Sequence, residues 1–106
     1  MSKLVEKLCM GDHPLEVRLW SDANCSALRD SVSSGYVHIR FTDTAGGTEL
    51  GVTLDKSLTR LDGADFVAGE GMIMLVGNLA LDYVPLRCWA HIDLSSLTGT
   101  GHLECV

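Results

Sequence analysis

The sequence predicts a mainly β domain, with an α+β arrangement also possible: a small antiparallel sheet, barrel or sandwich of six to seven short strands with one short helix near residues 22–33. Apolar and polar residues alternate with a period of two over several stretches, which is typical of strands with one buried face. Turn residues separate these stretches, and only one internal stretch has apolar residues at helical spacing. The 106 residues fit a single domain, residues 1–106, because one core commonly takes about 100–150 residues.

The first third of the chain predicts one strand followed by one helix. Before them, residues 4–9 suit one face of a helix, but they are equally compatible with an edge strand, so both alternatives stay open. Residues 15–19 alternate between apolar and charged side chains, which predicts the first strand. A helix follows, because Ser21 or Asp22 can cap its first turn and Gly35 can end it.

The stretch 36–54 predicts a β-hairpin. Apolar residues alternate with polar ones on both sides of a turn that contains Gly46 and Gly47. Paired glycines favour the tight turns that join antiparallel strands. The period is then lost from 55 to 71, which predicts a long loop.

The last third of the chain predicts four consecutive antiparallel strands. The apolar runs lie at 72–76, 79–84, 86–94 and 102–106. They are separated by Gly77 and Asn78, by Pro85 and by a loop at 95–101. Pro85 fits a bulge or bend within one long strand, because it lacks a backbone donor.

The charge balance argues against nucleic acid as a partner. Eight Lys and Arg residues oppose 14 Asp and Glu residues, which gives a net charge of -6 at pH 7, whereas binding to a phosphate backbone depends on basic side chains. The sequence has no apolar run of membrane-spanning length, and its first residues lack the apolar stretch of a signal peptide. With the four cysteines interpreted as reduced thiols, we expect a cytoplasmic protein without membrane contact.

Two cysteines and two histidines near the C terminus are the ligand types of a zinc site, but their spacing speaks against one. The two pairs are Cys88 with His91 and His102 with Cys105. Residues i and i+3 of a strand face opposite sides, so each pair diverges unless a bulge or turn lies within it. We therefore interpret both cysteines as buried hydrophobic residues and both histidines as surface residues, and we expect no metal and no cofactor.

Two strand faces are candidates for binding a partner. Each presents aromatic and basic side chains, and Trp, Tyr and Arg are enriched in protein interfaces. The candidates are Arg87, Trp89 and His91 on one strand, and Tyr36, His38 and Arg40 on another. If the two strands are neighbours, the two rows merge into one aromatic and cationic patch. The alternative is that a helix or the 55–71 loop covers this face and makes Trp89 part of a second core layer.

The run 72–76 has no polar face, because methionine and valine on one side alternate with isoleucine and leucine on the other. Such a strand needs cover on both sides. The lone helix can supply the second cover, or a second subunit can, and two-fold dimers are the commonest oligomers. The sequence favours a homodimer through Met72, Met74 and Val76.

Catalytic motifs are missing from the sequence. His91 and Asp93 share one strand face, but their spacing is at the limit of hydrogen-bond reach, and no nucleophile is marked. We therefore predict a non-enzymatic protein-binding module, such as an accessory subunit, an inhibitor or an immunity-type protein, which holds a protein partner through an exposed strand face or an open sheet edge. The alternative is a small barrel or sandwich that binds an apolar or aromatic small molecule as a carrier or enzyme.

Overall fold

The computed structural model describes residues 3–18, 25–44 and 46–105, and within them it shows a closed barrel of six antiparallel strands, an extra strand and two helices. The elements in chain order are α1 (Lys3–Leu8), β1 (His13–Arg18), α2 (Cys25–Ser34), β2 (Tyr36–Phe41), β3 (Thr48–Leu54), β4 (Ala64–Asp65), β5 (Glu70–Leu81), β6 (Val84–Asp93) and β7 (Thr98–Cys105). The mainly β class predicted from the alternation of apolar and polar residues is confirmed.

The six barrel strands form a meander that closes on itself. Apart from the short β4, each strand pairs with the next one along the chain, in the order β3-β2-β1-β7-β6-β5, and β5 returns to β3. All of these pairings are antiparallel. Closure removes most of the free sheet edge that an open sheet of this size exposes.

Apolar side chains from the inner faces of the strands form the core. On β6, Cys88, Ala90 and Ile92 are at most 1% exposed and point inward, and the residues between them point outward, as a period of two requires. The helices contribute Val5 and Leu8 from α1 and Leu28 and Val32 from α2. Full burial of a side chain of this size contributes about 1.5–3 kcal/mol, so docking of the helices stabilises the fold together with closure of the barrel.

The structure decides between the two alternatives for the N-terminal segment, which is the helix α1. The second helix begins at Cys25, so the capping residues predicted at Ser21 and Asp22 lie outside the described residues. Its predicted end is confirmed, because Gly35 has a φ of 84° and its N–H donates to the carbonyl of Ser31 at 3.1 Å. Neither helix, at 6 and 10 residues, is long and apolar enough to cross a membrane, and the described residues contain no other helix.

The strand β5 is continuous, so the turn predicted at Gly77 and Asn78 is wrong. The chain reverses instead at Asp82 and Tyr83, whose φ values of 50° and 66° are those of a tight hairpin turn. Gly77 has a different role, because a Cβ there would collide with the carbonyl oxygen of Thr53 on β3. The absence of a side chain lets β3 and β5 approach each other and close the barrel.

The last strand begins earlier than the predicted residue 102, and glycine explains why. Residues 95–101 were expected to form a loop, but β7 begins at Thr98 and includes Gly99 and Gly101. A Cβ on either glycine would collide with a backbone carbonyl oxygen of β6. These glycines therefore permit close packing of β7 on β6 and do not mark a turn.

The stretch 55–71, predicted as a long loop, runs beside β5 and contains β4. The N–H of Asp55 donates to the carbonyl of Val76 at 2.7 Å, and Arg60 exchanges two backbone hydrogen bonds with Met74 at 2.8 and 2.9 Å. Further along, β4 pairs with the first two residues of β5. The stretch therefore takes over as the neighbour of β5 where β3 ends.

Candidate functional site

The two candidate binding rows lie on opposite sides of the barrel. The strand β2 carries Tyr36, His38 and Arg40, and β6 carries Arg87, Trp89 and His91. Two strands separate β2 from β6 in either direction, β1 and β7 on one side and β3 and β5 on the other. A merged patch required neighbouring strands, so that interpretation is wrong, and each row has to be judged by itself.

The row on β6 is partly covered by its own chain. Arg87 Nη2 lies 3.9 Å from a carboxylate oxygen of Asp55, and Trp89 is half-buried opposite Val76 of β5. The indole Nε1 of Trp89 is buried and has no acceptor among the described residues. Of the three side chains in this row, His91 alone is exposed. The row therefore offers a partner much less surface than the sequence suggested.

Asp55 is held in position for its contact with Arg87. Its Oδ1 accepts hydrogen bonds from the hydroxyl and the backbone N–H of Ser57 at 2.6 and 3.0 Å. The Ser57 hydroxyl, and to a lesser extent the Arg87 guanidinium, lower the pKa of Asp55. In the same way, the hydroxyl of Ser95 lowers the pKa of Asp93. Asp93 therefore caps the turn after β6, and its hydrogen bonds go to Ser95.

The row on β2 presents a larger aromatic surface. Tyr36 is 46% exposed, and its ring packs edge-on against His38 with the centroids 4.9 Å apart. Its phenol group lies over Gly51 of β3, where a Cβ would collide with it. Arg40 donates a hydrogen bond to Glu16 at 3.3 Å and is already occupied within the chain. Tyr36 is therefore the side chain of this row that is best placed to contact a partner.

Next to Tyr36, β3 pairs over only part of its length with β5, the strand that closes the barrel. The strand β3 pairs with β2 through six residues, but it pairs with β5 through only two, Thr53 and Leu54. Among the described residues, positions 48–52 of β3 have no ladder partner on that side. Unpaired backbone groups of a strand edge are the groups that bind an added strand. The sequence cannot locate such an edge, because it depends on where two distant strands stop pairing.

The outward side of β5 is covered, as the apolar sequence of this strand requires. Val76 is 0% exposed, Met74 is half-buried beside Arg60, and Met72 is 50% exposed. The stretch after β3 runs beside this part of β5 and forms backbone hydrogen bonds with Val76 and Met74. The homodimer through Met72, Met74 and Val76 stays a prediction, and Met72 is the one exposed residue of the three.

The cysteines and histidines near the C terminus do not converge. Cys88 points into the barrel, where burial raises the pKa of its thiol to about 12, whereas His91 is exposed on the outside. His102 is half-buried on β7. Cys105 is exposed at the end of β7, so its predicted burial is wrong. In the described part of the chain, no group of three or more such side chains is placed to hold a metal ion.

Three surface clefts bear on the alternative of a small-molecule carrier. The larger two, of about 410 and 420 Å³, are open to solvent, and each has acidic side chains in its lining. The third is more apolar, with Val32, Leu54 and Leu61 in its lining, but its volume is about 220 Å³. Sites for small molecules usually enclose about 300–1,000 Å³ with an apolar lining. None of these three clefts combines the size and the lining that such a site needs.

His13 holds α1 against the barrel through both nitrogens of its ring. Its Nδ1 lies 2.7 Å from Asp43 Oδ2, and its Nε2 lies 2.7 Å from the carbonyl oxygen of Lys7. Both partners are acceptors, so both ring nitrogens need a hydrogen. The hydrogen bond to Asp43 raises the pKa of His13 and lowers the pKa of Asp43. The folded state therefore favours the charged imidazolium.

Comparison with known proteins does not assign a family. The chain matches no protein-family model and no curated protein. Tyr36 and the open edge of β3 are therefore the features from which a function has to be inferred.

Proposed function

We propose that this protein is a small non-enzymatic protein-binding module, such as an accessory subunit, an inhibitor or an immunity-type protein, which holds an extended segment of its partner at the open edge of β3. The observation that carries the proposal is the two-residue pairing between β3 and β5. It leaves positions 48–52 without a ladder partner on one side among the described residues. An extended segment can pair with such an edge through backbone hydrogen bonds, which is recognition by strand addition.

Tyr36 supports this site because it stands beside the same edge. Its ring extends from β2 across Gly51 of β3, toward the position that an added strand would occupy. Tyrosine contributes a large contact area at a low entropic cost and is enriched among the residues that dominate binding energy. Ladder hydrogen bonds carry little sequence specificity, so a side-chain contact at Tyr36 supplies part of the selectivity.

The charges around the edge favour a basic partner segment. Glu49 on β3 and Asp82 at the turn after β5 are both exposed, and the whole chain carries a net charge of -6 at pH 7. Complementary charges accelerate association and help to select the partner. We therefore expect Lys or Arg residues next to the extended segment, and binding that weakens as the salt concentration rises.

The first test is to select displayed random peptides that bind the immobilised protein. The tightest-binding peptide is then synthesised, and hydrogen–deuterium exchange of the protein is measured with and without it. Amides at 48–52 should gain protection, and Tyr36→Ala should weaken binding about tenfold or more, as at a hot spot. His91→Ala is the matched control, because His91 is the exposed residue of the other row. This substitution should leave the affinity for the peptide unchanged. Circular dichroism verifies that both variants fold.

Two outcomes would contradict the proposed site. One is protection confined to β6, which would assign binding to the row that contains His91. The other is a selected peptide whose affinity falls equally in Tyr36→Ala and His91→Ala.

The other predictions about partners are compatible with this site. A homodimer through Met72, Met74 and Val76 would use β5 where the stretch 55–65 is its neighbour, and so would not occupy the free edge of β3. A protein partner, rather than nucleic acid or a membrane, and a cytoplasmic location remain part of the proposal.

A further inference from the structure

We infer that Cys9 and Cys105 form a redox-sensitive dithiol, which closes to a disulfide and thereby fastens α1 to the barrel. Both cysteines line one open cleft of about 410 Å³. Both cysteines are free, and the helix α1 packs beside β7. Nothing in the proposed binding site uses them.

A bond between these cysteines would join distant parts of the chain. Cys9 directly follows α1, and its N–H donates to the carbonyl of Val5 at 3.0 Å. Val5 and Leu8 anchor this helix in the core, each 0% exposed. Cys105 is the final residue of β7. All seven strands lie between the two cysteines, so the disulfide closes a very long loop, the kind that restricts the unfolded chain most.

The other cysteines set the limits of the inference. Cys88 points into the barrel and is 1% exposed, which keeps it away from oxidants and from the other thiols. The side chain of Cys25 lies outside the described structure, so the test is carried out in a Cys25→Ser background.

Oxidation requires a low-molecular-weight disulfide and proceeds in two exchanges. The exposed Cys105 thiol loses its proton, and its sulfur attacks the oxidant, which gives a mixed disulfide and releases one small thiol. The Cys9 thiol then loses its proton and attacks the Cys105 sulfur, which releases the second small thiol. The two protein thiols lose two electrons and two protons, and the oxidant takes them up as it becomes two thiols. Burial, and then Cys105, raise the pKa of Cys9, which suits the resolving role.

The charge of the cleft selects between oxidants. Asp12 and Glu104 line the same cleft, so it repels the anionic glutathione disulfide and attracts the cationic cystamine. The measured quantity is the reaction rate with cystamine divided by the reaction rate with glutathione disulfide. At low salt, we expect this ratio to be at least about threefold higher for the folded protein than for the urea-unfolded chain. The difference should disappear at high salt.

The experiment exposes the reduced Cys25→Ser protein to cystamine and quenches the reaction by alkylation. We expect an intact mass lower by two hydrogens, one alkylated thiol after unfolding, and a crosslinked peptide that contains Cys9 and Cys105. The melting temperature should rise by roughly 10 °C and return on reduction. The added substitution Cys9→Ser is the control, and it should stop at a mixed disulfide on Cys105 without a rise of this size.

Three results would overturn the inference. The first is a mixed disulfide that persists on Cys105 although Cys9 is present, and the second is a bond that involves Cys88. The third is a bond between Cys9 and Cys105 that leaves the melting temperature unchanged, because α1 would then not be fastened by it.

Discussion

Replacing Gly77 with alanine tests how the barrel closes. The added Cβ would lie 2.5 Å from Val52 Cγ1 and 3.0 Å from Leu54 Cα, and it would collide with the carbonyl oxygen of Thr53. Ordinary contacts begin at 3.4 Å, so β3 has to retreat by most of an ångström. Two of these three neighbours are backbone atoms, which cannot rotate out of the way.

The free energy lost in this movement depends on how few residue pairs join β3 to β5. The strands β3 and β5 pair through two residues only, so a small retreat breaks the closure. Overpacking costs about 1–3 kcal/mol, and each lost backbone hydrogen bond costs about 1 kcal/mol. We expect Gly77→Ala to lower the free energy of unfolding by about 3 kcal/mol. This corresponds to a fall of roughly 10–20 °C in the melting temperature.

Urea denaturation, monitored by circular dichroism, measures this loss in the free energy of unfolding. Gly63→Ala is the matched control, because the nearest atom to its Cβ is the carbonyl oxygen of Met72 at 3.4 Å, and it should change stability by less than about 0.5 kcal/mol. Asn78→Val distinguishes a strand from a turn, since an exposed strand position accepts a β-branched residue. Equal midpoints for the two alanine variants, or a loss in Asn78→Val as large as in Gly77→Ala, would refute the reasoning.

Two further predictions concern α1 and the row on β6. Because folding raises the pKa of His13 above its ordinary 6.5, its stabilisation is fully present below that pH and is lost as the pH rises through the folded pKa. Thermal melts should therefore show a falling melting temperature on the alkaline side, and Asp43→Asn should flatten the fall. Trp89→Ala should lower the free energy of unfolding by about 2 kcal/mol, because its ring is half-buried opposite Val76. Tyr83→Ala removes a fully exposed ring and should change the free energy of unfolding by less than about 0.5 kcal/mol. If urea denaturation gave the same loss for Trp89→Ala and Tyr83→Ala, the covered position of Trp89 would be contradicted.

The sequence predicted the faces of the strands well because alternation is a local property of the extended backbone. Ile92 and Trp89 fall on opposite sides of β6, as their spacing requires. The end of α2 at Gly35 was predictable for the same kind of reason, since a positive φ is a local need that glycine meets. At Gly77 and Gly99 the same residue type does not mark a turn, because its role there is close approach between strands.

The candidate site was predictable only in part. Tyr36 was recognisable as an outward-facing aromatic residue, and it is exposed. Its position over Gly51, at the edge where β3 stops pairing with β5, depends on the register between strands. Trp89 resembled Tyr36 in the sequence, but it is half-buried in the structure.

The sequence by itself determined the fold class, the inner and outer faces of most strands and the hairpin of β2 and β3, because each depends on neighbouring residues and backbone conformation. Only the tertiary structure decided which strands are neighbours, where β3 stops pairing with β5 and which thiols share a cleft. Those features bring together residues far apart in the chain, such as Cys9 and Cys105 in one cleft and His13 and Asp43 in one hydrogen bond. No local pattern encodes such contacts, since they follow from the barrel as a whole.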